Sequence, residues 1–153
     1  MYVINAQPGS NNIIMVNPST LTIEMTIPFT ADTQVTSMTF NPTNGYMYIL
    51  QNNGNLGWID NTSNYFVGSI NLSYSGTYHT MTYDINKDYL YVSNLQDNSV
   101  QNIIVFNCFN NTELKQVNSV QINNGEGVVN YNPTTLLIWY SSVGSDELIW
   151  LCT

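Results

Sequence analysis

One short pattern occurs three times along the chain, and it restricts the possible folds more than any other feature of the sequence. Its copies begin at Met38, Met81 and Val129 and align without gaps. Each copy is a short apolar segment, a turn that carries Asn or Asp, and an aromatic-rich segment of alternating character, which is typical of a β-hairpin. Tyr2 and Val3 fit the end of a fourth copy. The chain is therefore predicted to be all-β and to repeat one unit.

The segments between these copies repeat as well. We predict third strands over 13–17, 56–60, 103–107 and 148–151, and fourth strands over 22–27, 65–70 and 117–122. Each unit then has four antiparallel strands and a period of roughly 43–48 residues, which is the length of a β-propeller blade. The predicted units are 1–37, 38–80, 81–126 and 127–153. A sandwich or a barrel does not show this four-strand recurrence, and a helical solenoid requires a helical periodicity that the sequence lacks.

Two stretches of the sequence carry a family resemblance. Residues 89–94 (YLYVSN) and 58–62 (WIDNT) resemble the YVTN repeat of the YncE-like, lactonase-type β-propellers, whereas 136–139 (LLIW) departs from it. The resemblance implies a ring of about seven blades, and this chain holds about three and a half. We expect that the chain belongs to a longer one, that partner chains complete the ring, or that open arcs assemble into a homo-oligomer or polymer through their exposed edges. A closed ring of four blades is a further alternative.

The charge balance limits the partners of the chain. Lys87 and Lys115 are the two basic residues, against ten carboxylates, and the net charge is -8. Nucleic acids and anionic membranes both require clusters of basic residues, so neither is expected as a partner. The first residues lack the basic and apolar regions of a signal peptide, and no apolar stretch is long enough to span a membrane. A soluble protein is predicted, with no insertion into membranes.

Several acidic residues are predicted to collect on one face of the propeller, on the loops that join strands two and three and that link successive blades. One interpretation is that this face binds a carbohydrate, a cation or a basic partner. The alternative is that these residues are solvated loop carboxylates. The candidates are Asp32, His79, Asp97, Glu126 and Asp146, together with Glu147, Asn53 and Tyr78.

The sequence does not reveal a catalytic or metal-binding set. Asp84, Asn86 and Asp88 have the spacing that starts a calcium loop, but a strand follows directly, and an ordinary turn is favoured. His79 is the single histidine, so a Ser-His-Asp triad would have to use it with Asp32 or Asp97, and there is no nucleophile-elbow motif. The polar residues that enzymes of the lactonase type need cannot be mapped. We therefore expect no enzyme activity, no cofactor and no metal.

Tryptophan and cysteine residues have structural interpretations. Trp58 and Trp150 occupy equivalent places in their units and Trp139 lies in a second strand, which favours packing between blades over sugar-stacking platforms. Cys108 and Cys152 are expected to be buried thiols, with one disulfide as the alternative.

Three glycosylation sequons bear on the location of the protein. They begin at Asn61, Asn71 and Asn110, and the first and last of these fall in predicted turns between strands three and four. With the scarcity of basic residues, they favour an extracellular location or the surface of a cell or virion.

The expected function is that of a non-enzymatic structural, self-assembling or protein-interaction module. The alternatives are a propeller that binds a ligand on its acidic face and a lactonase-like hydrolase.

Overall fold

The computed structural model describes residues 1–7, 10–29, 34–73, 75–96, 100–118, 127–142 and 148–152. Within these ranges every regular element is a β-strand, and no helix there is long and apolar enough to cross a membrane. The strands are β1 (Tyr2–Gln7), β2 (Ser10–Val16), β3 (Ile23–Pro28), β4 (Val35–Asn41), β5 (Tyr46–Gln51), β6 (Asn55–Asp60), β7 (Phe66–Asn71), β8 (Thr77–Asp84), β9 (Tyr89–Gln96), β10 (Val100–Asn107), β11 (Thr112–Asn118), β12 (Gly127–Asn132), β13 (Leu137–Ser142) and β14 (Leu148–Cys152).

The strands form four antiparallel sheets that follow one another along the chain. Sheet 1 contains β1–β3, sheet 2 contains β4–β7, sheet 3 contains β8–β11 and sheet 4 contains β12–β14. Strand pairing shows which positions of the four sheets are equivalent. The corresponding cross-strand pairs are Tyr2 with Met15, Tyr48 with Trp58, Tyr91 with Val105, and Trp139 with Trp150. By this equivalence β1 corresponds to β5, β9 and β13, the second strands of their sheets. The predicted all-β architecture with four-stranded antiparallel units is confirmed.

One predicted strand was placed wrongly. The fourth strand of the third unit was expected over 117–122, but β11 already begins at Thr112. The cause lies in the preceding turn, in which Asn111 has φ 54° and reverses the chain directly after β10. A strand that starts there pairs along β10 from Asn107 to Asn102. The turn therefore fixes the start of this strand, and the apolar pattern further along does not.

The same turn closes six of the hairpins. Its first residue is Asn or Asp, whose side-chain oxygen accepts the backbone N–H two residues later over 2.6–2.9 Å. The fifth residue has a positive φ, between 54° and 75°. In the turn that begins at Asp60, the N–H groups of Thr62 and Ser63 also lower the pKa of the carboxyl group. The first and fifth residues are Asn17 and Leu21, Asn41 and Gly45, Asp60 and Asn64, Asp84 and Asp88, Asn107 and Asn111, and Asn132 and Leu136.

The hydrophobic core consists of the layers between successive sheets. The largest layer lies between sheets 2 and 3, where the rings of Tyr48, Trp58 and Phe106 have centroids 6.0–6.3 Å apart. Ile13 and Ile49 belong to the layer between sheets 1 and 2, and the layer between sheets 3 and 4 combines aliphatic residues with the ring of Tyr91. Trp58 is therefore a core residue, as its repeat position predicted.

Hydroxyl groups connect β4, β8 and β12, the first strands of sheets 2, 3 and 4, which lie side by side. Backbone N–H groups of one strand donate to Ser or Thr side chains of the preceding first strand over 3.1–3.2 Å. The pairs are Met81 with Ser37, Val129 with Thr80, and Tyr131 with Thr82. Within the described residues no strand of sheet 1 makes an extended contact with a strand of sheet 4, so the described sheets form an open arc.

Candidate functional site

Most of the predicted acidic face falls outside the described residues. This applies to Asp32, Asp97, Glu126, Asp146 and Glu147. Ligand binding there stays a prediction from the sequence.

The other predicted members of that face are described. His79 lies inside β8, not in a loop as expected, and its Nε2 atom is buried with no hydrogen-bond partner in the described structure. Tyr78 was expected on this exposed face, and this prediction is wrong. Its ring is wholly buried against Gly54, where a Cβ atom would lie 2.5 Å from the ring, so the absence of a side chain admits the tyrosine. Asn53 is exposed and its side chain accepts the N–H of Asn55 at 3.0 Å.

The segment with calcium-loop spacing is an ordinary turn. Asp84 is buried and accepts hydrogen bonds from the N–H of Asn86 at 2.9 Å and from the hydroxyl of Tyr91 at 3.3 Å. Asp88 accepts from the side-chain amide of Asn41 at 2.7 Å and from the hydroxyl of Tyr83 at 2.8 Å. Both carboxylates thus satisfy internal donors. Among the residues that the structure describes, no three His, Cys, Asp or Glu side chains converge as a metal site.

Tyrosine hydroxyl groups link adjacent sheets. The Tyr48 hydroxyl of sheet 2 donates to the Asn111 oxygen of sheet 3 at 2.8 Å and accepts from Asn44 at 3.0 Å. Asn86 of sheet 3 donates to the hydroxyl of Tyr131 in sheet 4 at 2.7 Å. Burial raises the pKa of Tyr48 far above its ordinary value and that of Tyr83 to about 12. These hydroxyls stay protonated near neutral pH, and their role is to hold sheets together.

Cys108 is a free, buried thiol, which confirms the expectation for this residue. It does not form the disulfide that was the alternative. Burial raises its pKa to about 12. Because the thiolate is the reactive form of cysteine, this group is a poor nucleophile near neutral pH. The side chain of Cys152 lies outside the described residues.

The three sequon asparagines are all exposed. Asn61 and Asn110 lie in the turns between the third and fourth strands, as predicted, and Asn71 ends β7. The Thr112 hydroxyl donates to the Asn110 oxygen at 2.6 Å. Glycosylation at these sites stays a prediction.

The end of the arc at sheet 4 presents an uncovered surface, which we call the sheet 4 open face and define by Val128, Asn130, Leu137 and Trp139. Val128 is 41% exposed and Trp139 is only half-buried, although its equivalent in sheet 2, Tyr48, is 0% exposed. Trp139 had been expected in a packed layer, and it lies on a face that no described sheet covers. An open cleft of about 560 Å³ is lined there by Asn130, Tyr131, Asn132, Pro133 and Trp139.

The end of the arc at sheet 1 presents a second uncovered surface. The sheet 1 open face consists of Val3, Asn5, Asn12 and Ile14, which share one side of the sheet because Val3 pairs with Ile14 and Asn5 with Asn12. Val3 is 39% exposed and the other three are half-buried. Their equivalents in sheet 3 are Val92, Asn94, Asn102 and Ile104, all at most 1% exposed. Sequence periodicity gave no signal for either face, because the residue pattern is the same in covered and uncovered sheets.

Comparison with known proteins identifies the fold but no family. No protein-family model and no curated protein match the chain. The solved structures that it resembles include the dihydro-heme d1 dehydrogenase NirN in complex with DHE, with a TM-score of 0.72, 12% identity, and coverage of 99% of this chain and 32% of that one. The WD40 domain of Toxoplasma gondii coronin has a TM-score of 0.74, 9% identity, and coverage of 91% and 36%. This is a β-propeller fold.

A chain of a nidogen/laminin complex is similar as well, with a TM-score of 0.67, 12% identity, and coverage of 97% of this chain and 56% of that one. The chain therefore spans about a third to just over half of the length of these structures. At such low identity the likeness concerns the fold alone.

Proposed function

We propose that the chain is a non-enzymatic interaction module that associates with other protein chains through its open blade faces. The observation that carries this proposal is the pair of uncovered sheet surfaces at the two ends of the arc. Apolar sheet faces are normally covered in soluble proteins, and large exposed apolar patches mark interaction surfaces. Trp139 is a suitable anchor because tryptophan is enriched among the residues that contribute most to binding.

The chemistry of the described residues supports a role without catalysis. Asp84 and Asp88 are engaged in turn and sheet-linking hydrogen bonds, and the thiol of Cys108 is buried and protonated. A relationship to YncE-like propellers also belongs to the proposal, and it rests on the motif resemblance of residues 89–94 and 58–62.

An exterior location is the second part of the proposal. Asn61, Asn71 and Asn110 are exposed acceptors, and the chain has two basic residues. Secretion from a eukaryotic host, followed by endoglycosidase treatment, should lower the mass of the protein in steps of one glycan. A mass that does not change on treatment would count against glycosylation and remove this support.

The experiment that tests the interaction module is a light-scattering measurement over a range of chain concentrations. We expect a mass of at least twice 17.2 kDa at tens of micromolar, and a shift toward the monomer for Trp139→Glu. Phe109→Glu is the matched control, because Phe109 is 87% exposed on a turn of sheet 3 and lies on neither open face. A wild-type chain that stays monomeric at every concentration would overturn self-association through these faces.

A further inference from the structure

We propose that the partner of the sheet 4 open face is the sheet 1 open face of a second copy of this chain, in a head-to-tail arrangement. This inference rests on the proposed function and specifies its partner. It follows from the way in which the four sheets already pack on one another.

Every layer inside the arc brings together the same two kinds of face. The face that carries the Tyr48 position of one sheet lies against the face of the next sheet that carries the Val92 position. Tyr48 packs there against Leu90, Val92 and Phe106. In sheet 3 it is Tyr91 that occupies this position and packs toward sheet 4. The chain thus repeats one directional contact from sheet to sheet.

The two open faces are the unused halves of that contact. Trp139 occupies the Tyr48 position, and it points away from sheet 3. Val3 and Ile14 occupy the positions of Val92 and Ile104. The residue of sheet 1 at the place of Phe106 is Val16. A larger aromatic ring on one face therefore meets a smaller aliphatic side chain on the other, which conserves volume in the layer.

The polar residues of the sheet 1 open face also have a covered counterpart. Asn5 and Asn12 form a cross-strand pair, and the equivalent pair in sheet 3, Asn94 and Asn102, is wholly buried beneath sheet 2. The fold thus accommodates an Asn pair at this place within a covered layer. The residues that define the two open faces are uncharged. Glu24, in β3 beside the sheet 1 open face, is exposed and accepts a hydrogen bond from the Asn17 side chain at 2.8 Å.

The number of sheets agrees with closure by two copies. Two chains joined head to tail contain eight sheets, and closed propellers have about four to eight blades. Both junctions of such a ring are the same contact, in which the sheet 4 open face of each copy covers the sheet 1 open face of the other. Pairing of two sheet 4 open faces would bring together two faces of the Tyr48 kind, a contact that no layer of the arc uses.

The test is a complementation experiment with Trp139→Glu and Val3→Arg. In a head-to-tail arrangement each variant alone lacks one half of every junction, so we expect both to be monomeric, with association weakened about 100-fold or more. An equimolar mixture should regain the wild-type mass, because one junction is native and the other pairs Glu with Arg. Phe109→Glu mixed with Phe109→Arg is the control and should behave as wild type throughout. Circular dichroism and thermal melting establish that each variant is folded.

The outcomes separate the inference from the proposed function. If one variant remains associated alone while the other becomes monomeric, the contact joins two identical faces, and the head-to-tail arrangement is overturned while the interaction module stands. Association of both single variants overturns the inference as well. A wild-type chain that never associates removes the proposed self-association itself. If either variant fails to fold, Val128→Glu and Thr26→Arg, at exposed positions of the same two sheet surfaces, replace them.

Discussion

Asp88 offers a quantitative test of how the sheets are held together. It is the fifth residue of its turn, with φ 58°, and its carboxylate accepts hydrogen bonds from Asn41 of sheet 2 and Tyr83. Glycine adopts this backbone conformation without strain, so Asp88→Gly removes the side chain and leaves the turn intact. Two hydrogen bonds to a charged acceptor contribute about 1.5–3 kcal/mol each when fully effective. Asp88 is half-buried, so we use the lower part of this range, about 3 kcal/mol for the two bonds. Relief of the left-handed backbone conformation returns about 0.5 kcal/mol, so we expect a net loss of about 2.5 kcal/mol in the free energy of unfolding.

Leu21→Gly is the matched control, because Leu21 is the fifth residue of the first turn, with φ 56°, and is 77% exposed. A left-handed conformation costs a residue with a side chain about 1–2 kcal/mol, and the entropy of glycine cancels about 0.5–1 kcal/mol of that. We therefore expect a gain of about 0.5 kcal/mol. The same substitution at equivalent turn positions thus has opposite signs.

Urea unfolding of dilute protein, followed by tryptophan fluorescence, measures both changes. With a slope of about 2 kcal/mol per molar, the midpoint should fall by about 1.25 M for Asp88→Gly and rise by about 0.25 M for Leu21→Gly. Equal midpoints for the two variants would show that the Asp88 carboxylate does not join the sheets, and the argument from its hydrogen bonds would be refuted.

Three further expectations concern the backbone, alkaline pH and salt. The Gly76→Ala variant should unfold at a clearly lower temperature than the Gly45→Ala variant. At Gly76 (φ 122°) a Cβ atom would collide with the Leu95 carbonyl oxygen, whereas a Cβ atom at Gly45 (φ 75°) would lie in open space. Equal melting temperatures would contradict this reasoning. The pKa of Tyr48 and of Cys108 is raised in the folded state, so the unfolded chain loses these protons first. Stability should be constant up to about pH 8.5 and should then fall by about 1.4 kcal/mol per pH unit because of Cys108, with a second contribution of the same slope from Tyr48 above about pH 10. A melting temperature that stays constant to pH 11 would contradict this. Each copy carries a net charge of -8, so two copies repel each other. Raising the salt concentration from about 0.01 to 0.15 M shortens the Debye length from about 30 to 8 Å and should therefore tighten association in sedimentation experiments. Weaker association at the higher salt concentration would indicate an electrostatic contact instead.

The sequence predicts the hairpins of this fold well because their determinants are local. An Asn or Asp followed by a left-handed fifth residue fixes the turn, and the alternation on either side fixes the strands, as at Asn41 and Gly45. The start of β11 differs from the prediction because the turn that begins at Asn107 sets it, whereas the apolar pattern that predicts the strand begins only at residue 117. Tyr78 was missed because its burial depends on a glycine of another sheet, Gly54, which is a contact between distant parts of the chain.

Whether a face is covered could not be predicted from periodicity. Trp139 follows the same pattern as Tyr48, and yet one is half-buried and the other wholly buried. The repeat count predicts that an incomplete ring has exposed edges, but which residues are covered depends on how the sheets lie against one another, which a repeat pattern does not encode. The exposed residues of the two open faces are therefore set by the arrangement of the sheets and not by the repeat pattern.

The hydroxyl bonds between the first strands all run in one sense. The N–H of Met81 uses Ser37, and that of Val129 uses Thr80, so a strand always donates to the one that precedes it in the chain. A strand that emerges from the ribosome therefore finds its acceptor on a sheet that has already been synthesised. Each new sheet can be templated by the one before it, and the protein can fold in the order in which it is translated.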